Sequence, residues 1–309
     1  MDTTTELISV RVEIVELQKR RSLWGDVWLQ FRKHKLAVGA LSLLFFIILL
    51  ILFGPLLWKT GPEHIDIKAS YAGMTALHPL GADNLGRDTL ARVIIGGRVS
   101  LAIGLVAMAI AILIGTLVGI LAGYFSFLDN ILMRFTDMFL SLPSLPLLLV
   151  ITLLFRDPLR ASFGPEAGIF ILIVIVIGIL GWMPTARLVR GEVLSLKERE
   201  FVLAARSMGA PHSTILRSHI LPNVLSPIIV AATFSIASAI ITESALSFLG
   251  LGFPPDFPTW GRLLFDGKDI LPLTPLVAFW PGLLLSLTVL CVNFIGDGLR
   301  DALDPRAKK

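Results

Sequence analysis

The chain has 309 residues, of which 55% are hydrophobic and 16% charged, and its mean hydropathy is +0.80. One soluble core cannot bury so much apolar surface, so the composition excludes a soluble globular protein and predicts an all-α, polytopic membrane protein. The net charge of +4 gives no indication of nucleic-acid binding, and the single Cys291 leaves no disulfide framework to consider.

The first 35 residues are polar and basic, and we expect them to form a cytoplasmic N-terminal tail. The aromatic residues Trp24, Trp28 and Phe31 suggest an amphipathic segment on the inner membrane surface, with a disordered tail as the alternative. Residues 36–58 carry no charge and are long enough to cross a hydrocarbon core of about 30 Å. The long leader before them is unlike a signal peptide, which predicts an uncleaved first span.

Residues 59–98 are mixed in charge and are expected to form an external loop. Its run from His78 to Asp88 contains Gly-Ala-Asp-Asn and Leu-Gly-Arg-Asp, which are typical of turns, and Asp88 could cap the next helix. The run resembles the segment before the second span in the dipeptide, oligopeptide and nickel branch of ABC importer permeases. Its role does not follow from the residues, and a loop that contacts only its own chain is the alternative.

The region 99–295 is expected to be the core permease domain, with five further spans. In the second span, Gly115, Gly119 and Gly123 recur every four residues, which predicts a face packed closely on a neighbouring helix. Glycine is also common in membrane helices in general, which is the alternative. The polar residues 296–309 are expected to form a short cytoplasmic C-terminal segment. Six spans place both termini on the cytoplasmic side, in agreement with the basic N-terminal region.

The third span, near 131–155, contains the candidates for the translocation path. Arg134 and Asp137 lie near its inner end, where they can pair with each other or reach the interface. Pro143 and Pro146 each remove a backbone hydrogen bond, which predicts a bend toward a cavity. Asp137 and Pro143 are therefore path candidates.

The fourth span, 167–186, is expected to be broken by Pro184, and the fifth runs from about 222 to 249. Glu243 in the fifth span either lines the external mouth, as a third path candidate, or forms hydrogen bonds with a neighbouring helix. The sixth charge-free run is 270–295.

Residues 187–223 form a basic, patterned loop between the fourth and fifth spans. The segment from Lys197 to Met208 predicts an amphipathic helix whose apolar face carries Phe201, Ala204, Ala205 and Met208. Gly209 stands where a helix ends in a left-handed residue, and Pro211 can begin the next helix. The two alanines leave room for another backbone, which predicts docking into the groove of a partner protein.

This loop resembles the cytoplasmic loop of ABC importer permeases, because Leu203-Ala204-Ala205, Gly209 and Leu221-Pro222 stand at the spacing of that family. The chain departs from the pattern at Leu203, where the family has Glu, and at His219, where it has Ile. Glu200, one turn earlier, is a candidate to replace the missing Glu. The resemblance extends from about residue 30 to Arg306 and includes the C-terminal run. It identifies the chain as similar to the C-type permease subunit of the peptide importer branch.

The resemblance implies energy-coupled import by alternating access, with peptide as the first expectation for the cargo and nickel, glutathione-like molecules or sugars behind it. It implies a B-type permease partner, two cytoplasmic ATPases that bind ATP and magnesium, and an external solute-binding protein. Lipid surrounds the spans. The residues implied in ATPase coupling are Glu198, Glu200, Phe201, Leu203, Ala204, Ala205, Met208 and Gly209.

The chain has no phosphate-binding Gly-x-x-x-x-Gly-Lys-Ser/Thr motif, no histidines at metal-ligand spacing and no nucleophile elbow. We therefore expect no catalytic residue, no metal and no cofactor in this chain. Two other classes of function remain. An ion-coupled secondary transporter would need ionisable residues at the membrane midplane, which most of the charge-free runs lack. A non-transporting membrane scaffold would show no association with an ATPase.

Overall fold

The computed structural model describes residues 23–303, and this part of the chain is helical with irregular connections. The predicted cytoplasmic tail, apart from its last residues, and residues 304–309 lie outside the described residues. The helices are α1 Leu23–Phe31, α2 Lys35–Leu57, α3 Thr89–Tyr124, α4 Ser126–Ser141, α5 Ser144–Phe163, α6 Pro165–Leu180, α7 Met183–Lys197, α8 Glu200–Ser207, α9 His212–Thr214, α10 Leu221–Phe248, α11 Trp260–Lys268 and α12 Leu276–Leu303.

Five helices of the described region are long and apolar enough to cross a membrane. They are α2, α3, α6 with α7, the continuous helix His212–Phe248 that joins α9 to α10, and α12. A sixth crossing arises if α4 and α5, which meet at a bend of 87°, are counted as one broken span. The fold is therefore the all-α, multi-span architecture that the sequence predicts.

Side-chain contacts show which helix ends lie together. At one end of the bundle, the Tyr124 hydroxyl lies 2.7 Å from Nδ1 of His212, and His34 lies 3.7 Å from Asp301. At the other end, the Trp58 indole donates a hydrogen bond of 2.8 Å to Asp88. We call these the loop end, because α8 lies there, and the far end. The start of α2 and the end of α12 both lie at the loop end.

The second span begins at Thr89, ten residues before the predicted boundary at 99. Its first turn is capped by Asp88, whose carboxylate accepts a hydrogen bond from the Ala91 amide at 2.8 Å, as the sequence suggested. The helix tolerates charge in its first turns because each arginine finds partners. Arg98, for example, donates to the carbonyl oxygens of Ile51 and Leu52 at 2.9 and 2.7 Å.

Three other predicted boundaries differ from the structure for the same reason, since charged residues do not end these helices. Residues 156–163, which follow the predicted end of the third span at 155, are the end of α5, and residues 187–197, predicted as part of the loop, belong to α7. The fourth span breaks at Gly181 and Trp182, just ahead of Pro184, which lies in the first turn of α7. The last span starts at Leu276 and continues through the predicted C-terminal segment to Leu303.

The glycine-lined face of α3 packs on α7, as predicted. A Cβ atom added at Gly115 would lie 2.6 Å from the Trp182 carbonyl oxygen, and one at Gly119 would lie 2.7 Å from the Ala186 carbonyl oxygen. Such distances leave no space for a side chain, so the two backbones are in direct contact. This contact holds the helix that leads into α8 firmly against the bundle.

The His78 to Asp88 run folds into a buried polar cap at the far end. Asp83, which is 3% exposed, accepts hydrogen bonds from Arg87 at 2.7 Å and from Arg92 at 2.6 Å. Arg92 also donates to the Pro255 carbonyl at 2.8 Å. The run therefore ties the start of α3 to the connection between α10 and α11.

Candidate coupling loop and cavity

The loop between α7 and α10 presents a short helix at the loop end of the bundle. Only Glu198 and Arg199 separate α7 from α8, and Arg199 has an extended backbone with ψ of 145°. The helix runs from Glu200 to Ser207, shorter than the predicted 197–208. Its start is delayed because α7 continues to Lys197, and the chain needs the extended residue to turn.

The face of α8 that points into the protein is formed by Val202 and Ala205. Val202 is fully buried and Ala205 is 4% exposed, and both pack in a cluster with Val193 and Ile215. Of the face predicted from Phe201, Ala204, Ala205 and Met208, only Ala205 is buried. Sequence reasoning missed Val202, although its spacing of three from Ala205 would have placed the two on one side of a helix.

The remaining predicted coupling residues are exposed. Phe201 and Leu203 are 44% and 42% exposed, and Met208 is 81% exposed. Ala204, Gly209, Glu198 and Glu200 are exposed as well. We call Phe201, Ala204 and Met208 the outer face of α8. Inward anchoring by Val202 and Ala205 leaves this apolar outer face exposed, with the His219 ring beside Phe201.

Gly209 ends α8 as the sequence predicts. Its φ is +80°, in the left-handed region that only glycine and, less readily, asparagine adopt without strain. Its amide donates to the Arg206 carbonyl at 3.0 Å, and the Ala210 amide donates to the Ala205 carbonyl at 3.1 Å, which closes the turn. A Cβ atom here would meet nothing within 4 Å, so the requirement for glycine comes from the backbone angle and not from crowding.

The second half of the loop is attached to α3 and to α8. The His212 ring is hydrogen-bonded to the Tyr124 hydroxyl and packs edge-on against the Tyr124 ring, with ring centroids 5.5 Å apart. His219, which departs from the resembled pattern, faces Phe201 with ring centroids 6.1 Å apart. Between these residues the helix takes the wider π form from Ile215 to Ile220, an irregularity that is frequent at functional sites.

Two arginines of α7 hold α4. Arg190 forms two hydrogen bonds with the carboxylate of Asp129, at 2.5 and 2.7 Å, and Arg187 pairs with Asp137 at 2.5 Å. Asp137 therefore pairs with α7, and its pairing with Arg134, one of the two arrangements that the sequence left open, does not occur. This path candidate does not line the cavity described next.

The broken third span borders a cavity of about 1010 Å³. The helix α4 ends at Ser141 and α5 starts at Ser144, with Pro143 in the extended conformation between them. The prediction of a bend toward a cavity is confirmed, although Pro143 itself is not among the lining residues, whereas its neighbours Leu142 and Ser144 are.

The walls of the cavity come from α4, α5, α6, α7, α10 and α12 and are mostly apolar. One wall is formed by α10, which contributes the hydroxyl groups of Ser226, Ser235, Ser238 and Thr242. Glu192 of α7 and Arg300 of α12 lie at the border toward the loop end, and neither forms an ion pair within residues 23–303. Sequence reasoning does not single out these hydroxyl groups, because serine and threonine in a span usually bond to the backbone of their own helix.

Glu243 lies outside the cavity and is fully buried near the far end. Its carboxyl group accepts hydrogen bonds of 2.8 Å from Ser247 and Thr259, with Ser100 at 3.3 Å. Ser100 belongs to α3 and Thr259 caps α11, so Glu243 joins three elements. Of the two readings left open by the sequence, the geometry agrees with the hydrogen-bonded one and not with a position lining the mouth.

No group of three or more His, Cys, Asp or Glu side chains in the described region could hold a metal ion. Glu198 and Glu200 are exposed to solvent, and neither side chain is paired within residues 23–303. The loop thus presents an exposed apolar helix face, and the cavity is a mostly apolar space with hydroxyl groups in its wall.

Residues 111–309 match the family described as the binding-protein-dependent transport system inner membrane component. The chain belongs to this family. It is thus a multi-pass inner-membrane permease of the ABC importer class. Residues 22–77 match a second family, the N-terminal transmembrane domain of oligopeptide transport permease C.

Relatives of this permease match over nearly the full chain. The oligopeptide transport system permease protein OppC of Haemophilus influenzae is 40% identical over 304 residues, which cover 97% of this chain and 94% of the relative. The dipeptide transport system permease protein DppC of Alkalihalophilus pseudofirmus is 37% identical, with 93% and 91% covered. The glutathione transport system permease protein GsiD of Pectobacterium atrosepticum is also 37% identical, with 93% of each chain covered.

The fold of this permease is similar to a solved chain of the inward-facing MetNI methionine ABC transporter. The TM-score is 0.55 at 20% identity, and the match covers 69% of this chain and 96% of that chain. The similarity shows a shared fold.

Proposed function

We propose that this permease is one half of an ATP-driven peptide importer and that the outer face of α8 is the surface on which a cytoplasmic ATPase subunit exerts force. The observation that carries the proposal is the division of α8 into two faces. Val202 and Ala205 fix the helix to the bundle, while Phe201, Ala204 and Met208 remain exposed. An amphipathic helix presented in this way suits a groove in a partner.

The contacts suggest how force passes from α8 to the cavity. A shift of α8 moves α7, because only two residues separate them. The ion pairs of Arg190 with Asp129 and of Arg187 with Asp137 carry that movement to α4, which ends at the cavity. The glycine-lined contact of α3 with α7 makes these helices move together as a rigid unit.

The remaining parts of the importer follow from the family. A B-type permease supplies the second half of the path, two ATPases hold ATP and magnesium, and an external solute-binding protein delivers the cargo. Peptide is the proposed cargo because relatives at about 40% identity are named as oligopeptide and dipeptide permeases. The loop end, with both termini, faces the cytoplasm in this proposal, in keeping with the many basic residues there.

The test is to coexpress the permease with the products of its neighbouring genes, purify it in nanodiscs and measure ATP hydrolysis. We expect ATPase subunits to copurify and peptide-loaded binding protein to stimulate hydrolysis. Absence of an ATPase from the purified particle would contradict the proposal, whereas stimulation only by a non-peptide solute would contradict the choice of cargo.

A further inference from the structure

The α10 wall of the cavity carries four hydroxyl groups at successive positions along the helix, which we call the row. They belong to Ser226, Ser235, Ser238 and Thr242. At a rise of about 1.5 Å per residue, the row extends about 24 Å from Ser226 to Thr242, most of the thickness of a hydrocarbon core.

Three of these hydroxyls have no partner. Within residues 23–303, the side chains of Ser226, Ser235 and Ser238 form no hydrogen bond. Thr242 donates to the Ser238 carbonyl at 2.7 Å, and Thr233, outside the cavity, donates to the Val230 carbonyl at 2.7 Å. Such bonds to the preceding turn are the ordinary way in which a hydroxyl is satisfied in a membrane helix. The three serines line the cavity, where their hydroxyl groups are available to form hydrogen bonds.

The break between α4 and α5, in another part of the cavity wall, favours a water-filled space. Around Leu142 and Ser144 the chain leaves one helix and begins another, so backbone groups there lack helical partners. Irregular backbone at membrane depth is tolerated only where it is buried in protein or lines a water-filled space. Both residues are exposed in this chain and line the cavity.

A hydroxyl group donates one hydrogen bond and accepts others, so it can bond to an amide N–H or to a carbonyl oxygen alike. An extended peptide presents both groups repeatedly along its length, whatever its side chains are. The transmembrane helix of a neighbouring subunit does not, because its backbone bonds are already made within the helix. An extended peptide backbone therefore satisfies the free serines, and a packed helix leaves them unbonded.

We propose that Ser226, Ser235 and Ser238 form a cargo-binding row that bonds to the peptide backbone, while the apolar walls accommodate side chains of different size. This inference rests on the proposed function and adds the residues that contact the cargo. It gives the chemical reason why cargo would pass with little regard to its sequence. The row bonds to the part that all peptides share.

The first experiment uses the single cysteine of the chain. In a Cys291→Ala background that retains uptake, Ser235→Cys and Ser238→Cys are tested for reaction with a membrane-impermeant thiol reagent in the assembled importer. The matched control is Ile241→Cys, which is exposed on α10 but does not line the cavity. We expect the two cavity positions to react and residue 241 to remain unmodified. Unreactive cysteines at 235 and 238 would mean that a partner helix or lipid fills the cavity, which would overturn the proposal.

The second experiment tests the backbone bonding. The triple variant S226A/S235A/S238A is compared with wild type for uptake of a peptide and of the same peptide with N-methylated amides. Because each lost hydrogen bond weakens binding several-fold, we expect peptide uptake to fall by about tenfold. N-methylation should lower uptake by the wild type more than uptake by the variant. Equal effects of N-methylation on both proteins, or wild-type uptake by the variant, would overturn the proposal.

Failure of the inference can be distinguished from failure of the proposed function. If the wild-type importer binds its ATPases and takes up peptide, the function stands, and the serine variants alone decide whether the row contacts cargo. If the wild type takes up no peptide while the cysteines at 235 and 238 still react, the cavity is a path for a different cargo, and the peptide row is wrong.

Discussion

Arg190 of α7 donates two hydrogen bonds to the carboxylate of Asp129 on α4, at 2.5 and 2.7 Å. This two-pronged geometry fixes orientation as well as distance, which a lysine in the same place would not do. The pair lies close to the loop end, where α7 leads into α8, and α4 leads away from it to the broken span at the cavity. It is the firmest side-chain connection between the proposed docking helix and the cavity wall.

The first prediction concerns this pair. Asp129→Asn leaves Arg190 without this charged partner, and we expect the free energy of unfolding to fall by at most about 1 kcal/mol, because the pair is partly exposed, and ATP hydrolysis to lose its dependence on cargo. Thermal unfolding in detergent and stimulated hydrolysis in nanodiscs measure the two effects. Asp129→Glu, which keeps the charge, is the control and should restore most of the coupling. Full coupling in Asp129→Asn would show that the pair carries no movement.

The second prediction concerns the turn after α8. Gly209→Leu places a side chain at φ of +80°, which costs about 1–2 kcal/mol and distorts the turn, although no neighbouring atom is within 4 Å. We expect the variant to insert normally but to hydrolyse ATP without uptake. Gly209→Asn, which tolerates the left-handed conformation, should remain close to wild type. Wild-type uptake by the leucine variant would count against a role for this turn.

The third prediction separates fold from cargo selection at Glu243. Glu243→Ala leaves the buried hydroxyls of Ser247 and Thr259 without an acceptor, at a cost of about 1–3 kcal/mol for each. We expect a lower unfolding temperature, with Glu243→Gln recovering part of the loss. Because Glu243 does not line the cavity, the order of preference among peptide cargoes should not change. A change in cargo preference without a change in stability would show that Glu243 contributes to the translocation path.

The fourth prediction concerns the contact of α3 with α7. Gly119→Ala adds a methyl group 2.7 Å from the Ala186 carbonyl oxygen, which forces the helices apart and destabilises the protein by about 1–3 kcal/mol. Gly39→Ala is the matched control, because that helical glycine has nothing within 4 Å and alanine favours a helix by up to about 1 kcal/mol. Equal unfolding temperatures for the two variants would contradict the close contact.

Most of the fold could be predicted from the sequence, because charge-free runs of span length dominate it. The helix ends could not, since they depend on partners distant in the chain. Arg98 lies inside α3 because it donates hydrogen bonds to the carbonyl oxygens of Ile51 and Leu52. Arg190 lies inside α7 because it pairs with the carboxylate of Asp129. A search for uncharged runs places the end of a membrane helix at such an arginine. In the folded chain the arginine is paired and the helix continues past it.

The position of the docking helix was predictable and three residues of its predicted docking face are exposed, but the inward packing of Ala205 was not predictable. Phe201, Ala204, Ala205 and Met208 share one helical face, which was interpreted as the face that docks. The structure turns the helix so that Ala205 packs inward with Val202, because the cluster around Ile215 receives these two small side chains. Periodicity identifies an apolar stripe but does not say whether the chain itself or another protein covers it.

The measurement that tests the account most directly is site-specific photocrosslinking from residue 208 in the intact importer in native membranes. A photoreactive amino acid replaces Met208, which is 81% exposed at the loop end, and a second variant carries it in place of Leu57, which is 84% exposed at the far end. The account predicts an adduct between residue 208 and an ATPase subunit, and none between residue 57 and that subunit. An adduct of residue 208 with the external binding protein, or with no ATPase at all, would contradict it.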